Sequence, residues 1–161
     1  MKLKRYEAEK VVAFLSVCFA VGIGLYMFGM YCINNDVEKI DVSDLKRFSE
    51  GKLEYGVKEI RDDLDYVSVT GYIYEPGVSS SEVLVETDLL ACDDDTGQYY
   101  KLPTENILST DITEQVNDGC DYSYAGFKSV SYKKDLPVNY HFALLYESNG
   151  EKILVDEGKE E

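Results

Sequence analysis

The longest pattern in the chain is a continuous apolar run close to its start. Residues 11–33, with the sequence VVAFLSVCFAVGIGLYMFGMYCI, include no charged side chain. A helix of this length would span about 34 Å, enough to cross a hydrocarbon layer of about 30 Å with some tilt. The run also lacks the polar stripe of a helix that packs on a soluble core. The pattern therefore predicts a transmembrane helix over residues 11–33.

Two other kinds of export segment compete with this prediction. A cleaved signal peptide has an apolar region of about 7–15 residues that ends at a small-x-small site. Ala20-Val21-Gly22 has that form, but the uncharged run continues to Ile33. A lipoprotein signal would need a small residue before Cys18 instead of a valine. We therefore expect an uncleaved signal-anchor.

The charges on either side of the run predict its orientation. Acidic residues follow it at Asp36, Glu38 and Asp41. Positive charge marks the cytoplasmic end of a single-pass membrane helix. We therefore expect a cytoplasmic tail at residues 1–10 and an extracellular C-terminal part. The residues before the run are basic at Lys2, Lys4, Arg5 and Lys10 and acidic at Glu7 and Glu9.

One face of the predicted helix has a small residue at every fourth position, namely Ser16, Ala20 and Gly24. This spacing lets two membrane helices approach closely, so the face is a candidate dimer seam. Small residues are also common in membrane helices that do not associate. We favour that simpler interpretation.

Beyond a polar segment at residues 34–52, which we interpret as a stalk, the pattern changes to short strands. Residues 66–74, YVSVTGYIY, alternate with a period of two, which is typical of a strand with one buried face. Val67, Val69 and Ile73 would face the core. The dipeptide Asn149-Gly150 predicts a two-residue hairpin near the end of the chain. Other turn signals are Pro76-Gly77, Asp95-Thr96-Gly97 and Asn117-Asp118-Gly119.

These signals predict an all-β domain over residues 53–161. About seven or eight short strands alternate with turns every 8–12 residues, the spacing of an antiparallel β-sandwich. No helical apolar period of comparable length occurs after residue 53. The expected architecture is one transmembrane helix followed by one β-sandwich.

Several short motifs in this region resemble a known family. They are a strand centred on Gly71, then YYKLPT, then TDITEQVNDG with Asp111-Ile112, then YAGF with Gly126-Phe127. Over about residues 65–156 the chain is similar to small Ig-like β-sandwich domains of Gram-positive surface and envelope-associated proteins. Ser109 and Thr110 stand where that family has a basic residue. The resemblance implies an Ig-like fold and a cell-envelope compartment, and it implies no activity.

The charge balance restricts the partners of the domain. The chain has a formal net charge of −15, with 16 basic and 31 acidic residues. Four of the basic and two of the acidic residues precede Asn34, so 12 basic and 29 acidic residues remain, a charge near −17. Such a surface repels nucleic acid and anionic lipid head groups, which we exclude as partners of the domain. Solvation is the simplest role of this charge, and a cationic partner is the alternative.

The sequence contains no motif of an active site. His141 is the only histidine, and with no second histidine to complete a zinc site we expect a structural role. Gly-x-Ser-x-Gly, Cys-x-x-Cys and phosphate-binding loops do not occur in the sequence. Asp93, Asp94 and Asp95 are candidate calcium ligands, but the twelfth loop position is Thr104 instead of an acidic residue, and we favour a charged hairpin turn. We therefore expect no catalytic residue, metal or cofactor.

Cys92 and Cys120 are the two cysteines outside the predicted helix. An exported domain with two cysteines permits one disulfide, but two residues carry no framework pattern. We expect them to remain unpaired.

Three tyrosines give the candidate binding site. Tyr66, Tyr72 and Tyr74 share one face of the predicted strand and would form an aromatic platform for a sugar ring or a peptide. Packing beneath a loop or against neighbouring strands is the alternative, and it is the interpretation that we favour for these rings. We expect non-catalytic binding of a protein or glycan partner at the cell envelope. Two alternatives stay open: an accessory or regulatory subunit of an envelope glycan-processing enzyme or transporter, and an enzyme with an unrecognised carboxylate site.

Overall fold

The computed structural model describes residues 5–48, 51–80, 84–156 and 158. The chain divides into two compact units, Met1–Asp36 and Val37–Glu161. The first unit contains one helix, α1 (Arg5–Asn35). Within α1, Lys10–Gly29 is a candidate membrane span with a mean hydropathy of 2.4. A signal sequence has a similar length and composition, whereas a core helix would be mostly buried and this span is not.

The second unit consists mainly of two β-sheets. All neighbouring strands are antiparallel except one pair, residues 46–47 and 151–155, which are parallel. In spatial order, the six-stranded sheet contains β1 (Glu38–Ile40), β6 (Tyr99–Lys101), β5 (Val85–Asp93), β9 (Tyr140–Ser148), β10 (Glu151–Val155) and β2 (Lys46–Arg47). The four-stranded sheet contains β3 (Glu54–Asp62), β4 (Tyr66–Tyr74), β8 (Gly126–Tyr132) and β7 (Thr104–Ile107).

The main core lies between the two sheets. The inward positions of β4 follow the predicted alternation, with Val67, Val69 and Ile73 at most 4% exposed. They pack with buried residues of the six-stranded sheet, including Leu89 and Tyr146. Apolar burial of this kind is the main force that holds two sheets face to face. The prediction of a mostly β domain is confirmed.

Gly71 has a steric role at the centre of β4. A Cβ atom at this position would lie 2.5 Å from the backbone oxygen of Gly56 and 2.7 Å from the ring of Phe127. Both distances are shorter than van der Waals contact, so a larger residue would push the neighbouring strand or the phenyl ring away. Gly71 therefore allows β3 and the Phe127 ring to pack closely against β4.

The segment predicted to be a stalk instead contributes to the β unit. β1 pairs with β6, and β2 pairs with β10, so residues 37–48 add one strand to each edge of the six-stranded sheet. Ile40, Val42 and Leu45 pack on the outer face of that sheet, the face directed away from the main core. This segment covers apolar surface that would otherwise face water. With these two short strands the structure contains ten strands among the described residues, rather than seven or eight.

A short helix covers part of the other sheet. The segment after β7 forms α2 (Thr110–Val116). Its buried residue Ile112 packs with Tyr122 and Ala125, and Tyr72 and Tyr74 of β4 lie against this cluster. The outer face of the four-stranded sheet is therefore covered at one end.

The predicted hairpin between the last two strands is confirmed. Ser148 of β9 pairs directly with Glu151 of β10, which leaves Asn149 and Gly150 as a two-residue loop. Their φ angles are 52° and 77°. Positive φ at both positions is the requirement of the type I′ turn that Asn-Gly favours.

Candidate functional site

The three tyrosines of the predicted platform lie on one face of β4 but do not form one surface. The rings of Tyr72 and Tyr74 are stacked, with centroids 6.2 Å apart, and Tyr74 packs on Tyr122 at 4.5 Å. These two tyrosines belong to the cluster beneath α2. Tyr66 lies at the opposite end of the strand and is 40% exposed.

Tyr66 has a second tyrosine beside it that the sequence analysis did not single out. Tyr132 of β8 stands directly opposite Tyr66 in the sheet and is 52% exposed. Val130, two residues earlier on the same face of β8, is also exposed. We call Tyr66, Val130 and Tyr132 the aromatic patch. The alternating pattern of residues 124–134 indicates a strand that includes Tyr132. Only the strand pairing places Tyr132 next to Tyr66.

A cation lies at the edge of the aromatic patch. The Lys134 ammonium is 5.4 Å from the centroid of the Tyr132 ring, within the range of a cation–π contact. The patch therefore presents two exposed tyrosine rings with their hydroxyl groups. The Lys134 ammonium beside it adds a positive charge to a domain that is acidic as a whole.

The three aspartates of the candidate calcium loop point to different partners. The Asp93 carboxylate accepts hydrogen bonds from the backbone N–H groups of Asp95 and Thr96, as in a tight turn. Asp95 accepts a hydrogen bond from the side-chain amide of Asn139. Asp94 turns towards His141. The Asp93–Asp95 segment is thus a hydrogen-bonded hairpin turn between β5 and β6.

His141 is the centre of a polar cluster on the outer face of the six-stranded sheet. Its Nδ1 lies 2.7 Å from Asp94 Oδ1, and its Nε2 lies 3.0 Å from Asp156 Oδ1. The Tyr99 hydroxyl donates a hydrogen bond to Asp156 Oδ2. Cys92 lies opposite both Tyr99 and His141 in the sheet. We call Cys92, Asp94, Tyr99, His141 and Asp156 the histidine cluster.

The histidine cluster is mostly buried. Cys92 and Tyr99 are buried residues, and the Asp94 and Asp156 side chains are 12% and 10% exposed. The His141 side chain is 21% exposed, so it keeps some contact with solvent. The three strands β5, β9 and β10 fix the positions of these groups because their ladders are continuous up to the cluster.

Burial and hydrogen bonding change the pKa values in this cluster. Burial acts to lower the pKa of His141, but the hydrogen bonds to Asp94 and Asp156 outweigh it, so the pKa is raised. Burial acts to raise the pKa of Asp156, but hydrogen bonds from Tyr99, Gly158 and His141 outweigh it, so the pKa is lowered. Because ionised carboxylates only accept hydrogen bonds, this arrangement suits a His141 ring that is protonated at both nitrogens.

The two cysteines of the β unit lie in different clusters. Cys92 is buried on the outer face of the six-stranded sheet, and burial raises the pKa of its thiol. Cys120 is partly exposed and packs against the cluster beneath α2, on the other sheet. Both are free cysteines in the structure.

The small residues of the candidate helix seam are placed along α1. Ser16, Ala20 and Gly24 are exposed, and the Ser16 hydroxyl donates a hydrogen bond to the Val12 carbonyl within the helix. A Cβ atom added at Gly24 would meet nothing within 4 Å. The dimer seam stays a prediction.

The chain matches no family model, no curated protein and no solved structure. Its resemblance to Ig-like envelope domains therefore depends on the short motifs of its own sequence.

Proposed function

We propose that this chain is a single-pass membrane protein whose acidic β-sandwich binds a protein or glycan partner outside the cytoplasm, without catalysis. The observation that carries the proposal is the aromatic patch, a set of neighbouring, exposed side chains on the four-stranded sheet. Exposed apolar groups that adjoin one another mark interaction sites more often than isolated ones do.

The membrane attachment is supported by α1 and the charges around it. Lys10–Gly29 is long and apolar enough to cross a bilayer. Arg5 precedes this span, Lys10 begins it, and Asp36, Glu38 and Asp41 follow it. This asymmetry favours a cytoplasmic N-terminus and an extracellular β unit. Two of the basic residues in this argument, Lys2 and Lys4, lie outside the described residues.

The strand order supports an Ig-like assignment of the sandwich. Ig domains place strands A, B, E and D in one sheet and C, F and G in the other, with an added C′ in variable types. The order β3-β4-β8-β7 corresponds to A-B-E-D, and β6-β5-β9-β10 corresponds to C′-C-F-G. β1 and β2 are then additions at the edges. We extend this assignment to the envelope of a Gram-positive bacterium, the setting that the resemblance implies.

Among envelope partners, the aromatic patch favours a protein over a glycan. Tyrosine is enriched in protein interfaces, where its ring packs and its hydroxyl forms a hydrogen bond. The chain contains no tryptophan, a frequent platform for sugar rings. The positive charge of Lys134 beside Tyr132 suits an acidic segment of that partner.

The histidine cluster contains the residues that an enzyme would use, but its geometry favours a structural or binding role. Both ring nitrogens of His141 already face carboxylates, and the ring is only one-fifth exposed. The tyrosines of the aromatic patch are more exposed to solvent than the His141 ring. This contrast is why we propose binding rather than a carboxylate-dependent reaction.

A pull-down from crosslinked membranes tests the proposed binding. The full chain carrying Tyr66→Ala and Tyr132→Ala should capture its partner at least about tenfold less well, since truncating an anchoring tyrosine costs more than about 1 kcal/mol. Tyr124→Ala is the matched control because Tyr124 is equally exposed but precedes the other end of β8. Equal thermal stability of the variants would show that the sandwich is intact.

Three results would contradict the proposal. Unchanged capture by the double variant would remove the aromatic patch from the interaction. Equal loss in Tyr124→Ala would show that the effect is not specific to the patch. Capture that disappears after glycan digestion of the membranes would replace the protein partner with a glycan.

A further inference from the structure

The donor atoms of the histidine cluster include three types that transition metals prefer. Cys92 Sγ, a ring nitrogen of His141 and a carboxylate oxygen of Asp156 all lie within 4.8 Å of one another. They come from β5, from β9 and from the residue that follows β10, so no local sequence motif joins them. Their strands are hydrogen-bonded neighbours in one sheet.

We propose that Cys92, His141 and Asp156 bind a divalent transition-metal ion of the class that includes Zn²⁺ and Co²⁺. In a tetrahedral zinc site with bonds of about 2.0–2.3 Å, donor atoms lie about 3.3–3.6 Å apart. The His141 Nε2 and Asp156 Oδ1 atoms are 3.0 Å apart, so little movement is needed between them. Cys92 Sγ lies within 4.8 Å of the other two donor atoms, so a rotation or shift of about 1–1.5 Å at most completes the set.

The neighbours of these ligands hold them in suitable orientations. Asp94 Oδ1 accepts the hydrogen bond of His141 Nδ1 at 2.7 Å, which directs Nε2 towards Asp156. A carboxylate on the far nitrogen of a ligating histidine is the usual support in zinc sites. Tyr99 donates to Asp156 Oδ2 and so leaves Oδ1 directed at His141. The positions of both supporting residues match what a metal site needs.

The donor set also restricts which ion would bind. A thiolate and an imidazole favour zinc, cobalt and related ions over calcium and magnesium, which prefer oxygen ligands. On binding, the ion replaces the proton on His141 Nε2 and the thiol proton of Cys92, and both protons leave to solvent. The thiolate and the Asp156 carboxylate then balance the two positive charges of the ion. Three protein ligands leave one position for water.

The expected consequence is a stronger connection between three strand ends. Bound metal would join the end of β5 to the start of β9 and to the segment after β10. Because the ion binds the folded state, it raises the stability of the β unit, and the gain grows with the logarithm of its free concentration above the Kd. This metal binding is independent of the partner proposed for the aromatic patch.

Cobalt absorption tests the site directly. Full-length protein in detergent is treated with a chelator and titrated with Co²⁺. We expect one ion per chain, with the visible bands of tetrahedral cobalt, a near-ultraviolet thiolate charge-transfer band and a raised melting temperature. Excess Zn²⁺ should abolish the spectrum. His141→Ala, Asp156→Asn and Asp94→Asn should each weaken Co²⁺ binding by about tenfold or more.

Cysteine variants identify the thiolate. A variant with Cys18→Ser, Cys32→Ser and Cys120→Ser keeps only Cys92 and should keep the charge-transfer band, whereas Cys92→Ser should lose it. If Cys92→Ser does not fold, the carboxylate variants and the Cys92-only variant still decide the question. No charge-transfer band in the wild-type protein would overturn the proposal, as would an unchanged band in Cys92→Ser or in Asp156→Asn.

Discussion

At the scale of single residues, Tyr122 shows how one side chain joins separate loops. The residue is completely buried. Its hydroxyl accepts a hydrogen bond from the Gly77 backbone N–H at 2.7 Å and donates one to Asp118 Oδ2 at 2.6 Å. Tyr122 therefore holds the turn after β4 and the loop after α2 together from inside the cluster beneath α2.

Tyr122→Phe isolates the contribution of that hydroxyl. The variant keeps the ring and its packing on Tyr74 but leaves the Gly77 N–H without its acceptor. We expect the free energy of unfolding to fall by about 1–2 kcal/mol, because the change removes the hydrogen bond to the Asp118 carboxylate and the one from the Gly77 N–H. Denaturant unfolding measures this change, and Tyr124→Phe, at an exposed position, should have no effect. Equal stability of Tyr122→Phe and the wild type would mean that the hydroxyl joins nothing.

The two cysteines of the β unit should differ in reactivity. Cys120 is partly exposed, whereas the Cys92 thiol is buried and has a raised pKa. Because the thiolate is the reactive form, we expect Cys120 to react with a maleimide well before Cys92. The measurement uses the full chain with Cys18→Ser and Cys32→Ser, without reductant. Complete protection of both residues that reduction removes would instead reveal a disulfide between them.

At the scale of elements, long strands with strict alternation could be predicted from the sequence. The inward positions of β4 and the hairpin between β9 and β10 were of this kind, because a period of two and an Asn-Gly turn are local properties. β1 and β2 have only three and two residues, and they form because their segment docks on an existing sheet. Such docking is a tertiary effect that no local pattern reports.

The same reasoning explains why the candidate sites were only partly predicted. Tyr66 was identified, but its neighbour Tyr132 is known only from the pairing of β4 with β8. His141 was assigned a structural role because a second histidine was missing. The possibility that Cys92 and Asp156 replace it depends on the register of three strands. A single sequence does not show which residues of neighbouring strands pair with one another.

The last hairpin provides a test at the element scale. Gly150 has a φ of 77°, which a β-branched residue adopts only with strain. Gly150→Val should lower the free energy of unfolding by about 1 kcal/mol or more. Gly150→Asn is the matched control, since asparagine tolerates positive φ and should cost less. An unchanged melting temperature of the valine variant would contradict the tight turn between β9 and β10.

At the scale of the whole molecule, the distribution of charge and apolar residues divides the chain into two parts. A helix that carries no charge over residues 11–33 precedes an acidic β unit, and the two parts differ in where their apolar side chains lie. The β unit has its own core between two sheets. The side chains of Lys10–Gly29 have no such core, and a bilayer would provide the apolar environment that they lack.

Reporter cysteines on intact cells test this division most directly. Val138 is 96% exposed in the β unit, and Glu7 precedes the predicted membrane span. In a background with Cys18→Ser, Cys32→Ser and Cys120→Ser, each position is changed to cysteine and treated with a membrane-impermeant maleimide. We predict that Val138→Cys is labelled on intact cells and that Glu7→Cys is labelled only after permeabilisation. The reverse pattern, or a mature protein that begins after Gly22, would contradict an uncleaved anchor with an extracellular β unit.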